Sequence, residues 1–153
     1  MSLMITETQK ESYRSEGYMI LERVIPDEHL QMLRDECSGQ IERMHSRMDE
    51  AGTDVIGINH RNKRYFVSNC SKERPILRDF LFGEVMAEIC KATLGPDAYL
   101  FHEQYVVKGK QEGMKFSWHQ DSGYVGYPDH KPYLTCWCAL DDMSEENGTV
   151  HVL

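Results

Sequence analysis

Residues 116–121 read Phe116-Ser117-Trp118-His119-Gln120-Asp121, a hexapeptide with the alternation of a strand. Successive side chains of a strand point to opposite faces, so Ser117, His119 and Asp121 would share one face and Phe116, Trp118 and Gln120 the other. An imidazole and a carboxylate two residues apart on a strand can reach one metal ion. A second His from elsewhere would complete the two-His-one-carboxylate face that suits Fe(II) and leaves positions open for other ligands. The triplet alone is weak: with seven His and ten Asp in 153 residues, chance supplies roughly 0.5 His-x-Asp. In isolation it reads as a hydrogen-bonded strand pair with no metal, so its surroundings must decide.

Around the hexapeptide, residues 99–107, 115–121, 134–140 and 149–153 read as strands separated by Gly, Pro, Asn and Asp. Upstream the character is helical. A polar helix is predicted over 6–16, stopped by Gly17, and a short strand over 18–24. Pro26-Asp27 then opens a helix over 28–48, with Asp27 as its cap and Leu30, Leu33, Cys37, Ile41 and Met44 at helical spacing. Residues 51–67 read as a loop with extended stretches at 55–58 and 65–67. A further helix over 76–94 bends near Gly83 and ends at Gly95-Pro96. Strands and helices do not alternate, and no glycine-rich phosphate loop occurs, which disfavours a nucleotide-binding sheet. Closely spaced strands without helices predict antiparallel pairing in a sandwich or jelly roll that needs more strands to close.

The chain has 17 Lys+Arg against 25 Asp+Glu, a net charge of −8 and 41% hydrophobic residues. That length suits a single domain over residues 4–153, with Met1-Ser2-Leu3 reading as an expression scar ahead of Met4. An acidic balance argues against nucleic acid as a partner. No apolar run is long enough for a membrane span and no secretory signal is evident, so a cytoplasmic location is expected. Cys37, Cys70, Cys90, Cys136 and Cys138 are odd in number and scattered, as reduced core residues are. Cys136 and Cys138 lack the second Cys or His pair that a zinc site requires. The one dense basic run is His60-Arg61-Asn62-Lys63-Arg64. A solvated loop explains it. Alternatively it borders a site mouth, with Arg61 and Arg64 drawing in an anionic group of a small-molecule substrate.

Trp118-His119-Gln120-Asp121, Gly123-Tyr124, Leu134 to Asp142 and Glu145-Glu146-Asn147-Gly148, taken in this order, closely resemble the phytanoyl-CoA dioxygenase family. These are Fe(II)- and 2-oxoglutarate-dependent oxygenases on a double-stranded β-helix. The resemblance covers residues 116–153 strongly and 20–33 more weakly. It implies an α+β fold in which a helical N-terminal part packs on an incomplete antiparallel double-stranded β-helix, or jelly roll. It implies that His119 and Asp121 are two iron ligands and that Trp137 lines the cosubstrate pocket, where a core aromatic is the plainer account. Lys108 stands where the family often has a Lys near the mouth, though a solvated turn residue explains it too. Asn147-Gly148 reads as turn chemistry, because Asn-Gly supplies the positive φ of a tight hairpin.

The departures from the pattern are as informative. The family's third ligand is a His beyond the Asn-Gly strand, followed by an Arg that binds the distal carboxylate of 2-oxoglutarate, and neither segment occurs here. His151 lies on the wrong strand to substitute. The resemblance therefore implies part of a dioxygenase that hydroxylates a small organic substrate with O2, the 153-residue chain being inactive alone and self-associating through exposed strands. A non-catalytic jelly-roll binding or interaction domain is the alternative, and a cupin-like enzyme using another divalent metal a third.

Overall fold

The computed structural model describes residues 5–109, 116–124 and 133–153. Helices form where the sequence supplies a start signal or an apolar stripe. α1 (Glu7–Glu16) opens on a capping box: Gln9 N–H donates to Thr6 Oγ1 at 3.2 Å, and Thr6 N–H donates to Gln9 Oε1 at 2.9 Å. Two otherwise orphaned donors are thereby satisfied reciprocally. Gly17, at φ +81°, closes the helix with its N–H on Tyr13 O. α2 (Asp27–Glu50) starts at Asp27 itself and buries Leu33, Cys37, Met44 and Met48, the predicted stripe carried one turn further. α3 (Pro75–Leu81) and α4 (Glu84–Thr93) are the third predicted helix, broken at Gly83. A Cβ at Gly83 would meet Asp79 O at 2.8 Å, so the corner between them requires glycine.

β1 (Val55–Ile56), β2 (Asn59–His60), β3 (Arg64–Ser68) and β4 (Gln104–Lys108) form one antiparallel sheet in that order. The predicted loop over 51–67 is thus a pair of tight hairpins containing the expected extended stretches. The β3–β4 register runs from Arg64↔Lys108 to Ser68↔Gln104. Backbone bonds continue it at both ends, Gly109 N–H to Lys63 O at 2.7 Å and Asn69 N–H to Glu103 O at 3.0 Å. In an antiparallel ladder alternate residues bond to the partner, so Tyr105 and Val107 face β3 with their backbone groups. Gln104, Val106 and Lys108 turn theirs to the opposite edge. Gly109 passes so close to the β2–β3 turn that a Cβ on it would collide with Asn62 O.

Two compact units result. The first draws on residues up to 29, 71–101 and 118–136. Here Leu77, Phe80, Met86 and Ile89 are buried, α1 lies against α4, and the His29 ring meets Phe80 edge-on at 5.7 Å. The second comprises residues 30–70, 102–117 and 137–153. In it one face of the sheet packs on α2, where Met44, Met48 and Tyr65 are buried together with Ile41, Ile56, Val67 and Val107 against them. The buried Tyr65 hydroxyl meets His45 Nε2 and accepts the Asn62 N–H at 2.6 Å, so its burial leaves no polar group unsatisfied. The other face carries Arg64, Phe66, Ser68, Gln104, Val106 and Lys108.

Several predicted strands are corrected. Residues 18–24 form no strand; the chain turns there, with Arg23 at φ 55°. Residues 99–103, 116–121, 134–140 and 149–153 are likewise outside any ladder, and residue 115 lies outside the described residues. A β-propensity pattern becomes a strand only when a neighbour bonds its backbone, and among the described residues only β3 pairs with β4. The result is mixed α+β with, among the described residues, a four-stranded sheet that does not close.

Candidate metal centre

Asp121 opens a 3-10 turn, Asp121–Tyr124, held by Gly123 N–H on Gln120 O at 2.9 Å. His119 precedes it in irregular backbone. The expectation that strand alternation places these two side chains on one face is therefore replaced: a turn, not a strand, brings them together. His119 Nε2 lies 3.4 Å from Asp121 Oδ1, with the side chains 40% and 44% exposed. Two neighbouring ligands, each about 2.1 Å from one first-row ion, would themselves stand about 3.0–3.4 Å apart. That spacing suits two ligands of one metal and equally a direct imidazole–carboxylate contact, and both side chains are partly open to solvent. Among the described residues no group of three His, Cys, Asp or Glu gathers that could hold an ion.

The second carboxylate oxygen is also engaged. Thr135 Oγ1 donates to Asp121 Oδ2 at 2.7 Å. Tyr133, two residues earlier, has its phenol pushed up by burial and then by the Asp121 charge, and its ring meets Phe101 edge-on at 5.9 Å. Nothing in the sequence pattern marks Thr135. It stands two residues before Trp137 in an apolar run and reads as ordinary strand filling.

The other predicted site residues belong to the second unit. Lys108 Nζ donates to Gly148 O at 3.0 Å and lies 5.1 Å from the centroid of the Phe116 ring. Arg64 is its cross-strand partner, at the non-hydrogen-bonded kind of position where side chains come closest. Arg64 Nε donates to Ile58 O at 2.8 Å. Arg61 is paired with Asp49 and, at 2.7 Å, with Asp54, and also donates to His45 O at 3.3 Å. Its charge helps to bind the hairpin to α2. Trp137 is half exposed in irregular chain. Asn147-Gly148 lies in a turn, but not in the expected hairpin, since no strand flanks it and only Gly148, at φ 90°, takes a positive φ; Ser144 N–H donates to Asn147 Oδ1 at 2.9 Å and Asn147 Nδ2 donates to Asp142 O at 2.6 Å. All five cysteines are free thiols.

The phytanoyl-CoA dioxygenase (PhyH) family profile matches residues 13–153, and the chain belongs to that family of Fe(II)- and 2-oxoglutarate-dependent oxidoreductases. It is 28% identical over 152 residues to ectoine dioxygenase of Bordetella parapertussis, covering 94% of this chain and 47% of that protein. The Bordetella bronchiseptica ectoine dioxygenase matches to the same degree. Human peroxisomal phytanoyl-CoA dioxygenase is 20% identical over 159 residues, covering 98% of this chain and 47% of that one. The chain therefore spans about half the length of these relatives. No solved structure gives a significant match. Among the described residues, no helix is long and apolar enough to cross a membrane.

Proposed function

We propose that this chain carries the first two iron ligands, His119 and Asp121, of an Fe(II)- and 2-oxoglutarate-dependent dioxygenase that hydroxylates a small organic substrate on a jelly-roll domain. Membership of the family supplies the reaction class. The observation that supports the site is the 3.4 Å approach of His119 Nε2 to Asp121 Oδ1. When bound, iron and 2-oxoglutarate supply the oxidising chemistry: O2 is consumed, 2-oxoglutarate loses CO2 to become succinate, and a C–H bond gains a hydroxyl.

The protein's own residues hold and orient. His119 offers an imidazole nitrogen and Asp121 a carboxylate oxygen, a borderline and a hard donor that suit Fe(II). Lys108, with its ammonium on the sheet face opposite α2, is assigned to the cosubstrate together with Trp137, whose half-exposed indole can cover an apolar stem. Arg64, cross-strand from Lys108, and Arg61 are assigned to an anionic group of the substrate. Arg61 is already paired with two carboxylates, whereas Arg64 stands cross-strand from Lys108 with no carboxylate partner among the described residues, which supports this role more for Arg64. Free thiols throughout support a reducing, cytoplasmic setting.

The test is succinate formation from 2-oxoglutarate with Fe(II) and ascorbate. A chain extended to the length of its relatives is expected to turn over, and its His119→Ala variant to lose activity by several orders of magnitude. The 153-residue chain alone is expected to be inactive, since no Arg follows Arg78 to anchor the far carboxylate of 2-oxoglutarate. Absence of turnover in the extended chain would favour the non-catalytic interaction domain.

A further inference from the structure

An ionised carboxylate accepts hydrogen bonds and donates none, so the 2.7 Å contact between Thr135 and Asp121 has one polarity: the hydroxyl gives its proton to Oδ2. A bond of this length to an anionic acceptor is of the stronger, charge-assisted kind. Its geometric effect is selective, because it holds one carboxylate oxygen and leaves Oδ1 turned towards His119. Thr is stiff at χ1, so the donor is held as well as present. The segment that bears it is braced two residues earlier, where the Tyr133 ring packs edge-on against Phe101 at 5.9 Å.

We infer that Thr135 is a positioning residue, which fixes the Asp121 carboxylate so that Oδ1 alone is presented, beside His119 Nε2, to a divalent metal ion. The inference rests on reading His119 and Asp121 as metal ligands and goes beyond it by assigning an outer partner to one of them. Without the hydroxyl, the carboxylate can rotate about its terminal torsion, which is broad for Asp, and the two ligand atoms are no longer held at one spacing. Removing such a partner typically lowers metal affinity 10–100-fold.

The test needs no catalysis. Mn(II) is titrated into the 153-residue protein and binding is followed by loss of the free-ion Mn(II) electron paramagnetic resonance signal and, where His119 is present, by paramagnetic broadening of its ring resonances. Thr135→Val keeps the side-chain shape and removes the hydroxyl. Thr135→Ser keeps the hydroxyl and removes the methyl. Positioning predicts that Val raises the Mn(II) concentration for half-broadening at least tenfold and that Ser restores it to within about threefold of the parent. Equal losses in Val and Ser would mean that Thr135 matters only to packing, and an unchanged titration in Val would mean that it does not position Asp121; either overturns the inference. His119→Ala separates the two layers. If it abolishes binding while Val leaves binding intact, only the role of Thr135 falls; if binding survives His119→Ala, the metal reading falls with it.

Discussion

Gly109 and Cys70 show how single positions carry structural cost. A methyl group at Gly109 would collide with the Asn62 carbonyl oxygen, which is backbone and cannot swing aside. Gly109→Ala is expected to lower stability by about 1–3 kcal/mol, read as a lower urea midpoint at unchanged slope. The Cys70 thiol is buried, and burial, reinforced by Glu103, pushes its pKa up to about 11. In the unfolded chain a thiol ionises at about 8.5. Above that pH the unfolded state binds fewer protons than the folded one, so stability falls as pH rises through this interval. Unfolding free energy measured from pH 8 to 11 should decline, and Cys70→Ala should flatten the slope. That His119 and Asp121 lie near each other was legible in the sequence, because only one residue separates them. Thr135 was not, because its partner is fourteen residues away and a hydroxyl among apolar residues carries no pattern of its own.

Elements divide by how local their hydrogen bonds are. α1, α2 and the α3–α4 pair follow from start signals, stripes and glycine stops, since a helix satisfies its backbone within a few residues. The hairpins of β1 to β3 are also local, and their extended stretches were visible. The segments over 116–121, 134–140 and 149–153 were misread, because alternation and β-branching describe a surface that fits a sheet without providing the sheet. The 145–148 turn survives without flanking strands, because the Asn147 side chain bonds to backbone on its own account. The α2–sheet contact centres on Met48, which is fully buried. Met48→Ala should cost about 2–5 kcal/mol, measured by thermal or urea unfolding.

In the molecule taken whole, the four strands found among the described residues form an open sheet, in a chain that spans about 47% of each relative. Exposed Val106 lies on a strand whose second edge has no ladder partner among the described residues. Unprotected edges of this kind recruit other strands. Sedimentation of the 153-residue chain is expected to depend on concentration, and Val106→Lys to reduce that dependence. A single species at every concentration would count against association through this strand. The ladder parity of β4 also sets a clock for solvent. Amide protons of Tyr105 and Val107, bonded towards β3, should exchange slowly with deuterium, while those of Val106 and Lys108 exchange fast, so protection alternates residue by residue along five positions. Anything that completes the sheet there would erase the alternation, and each newly slowed amide would mark about two residues of β4 covered, since only every second amide points to that edge.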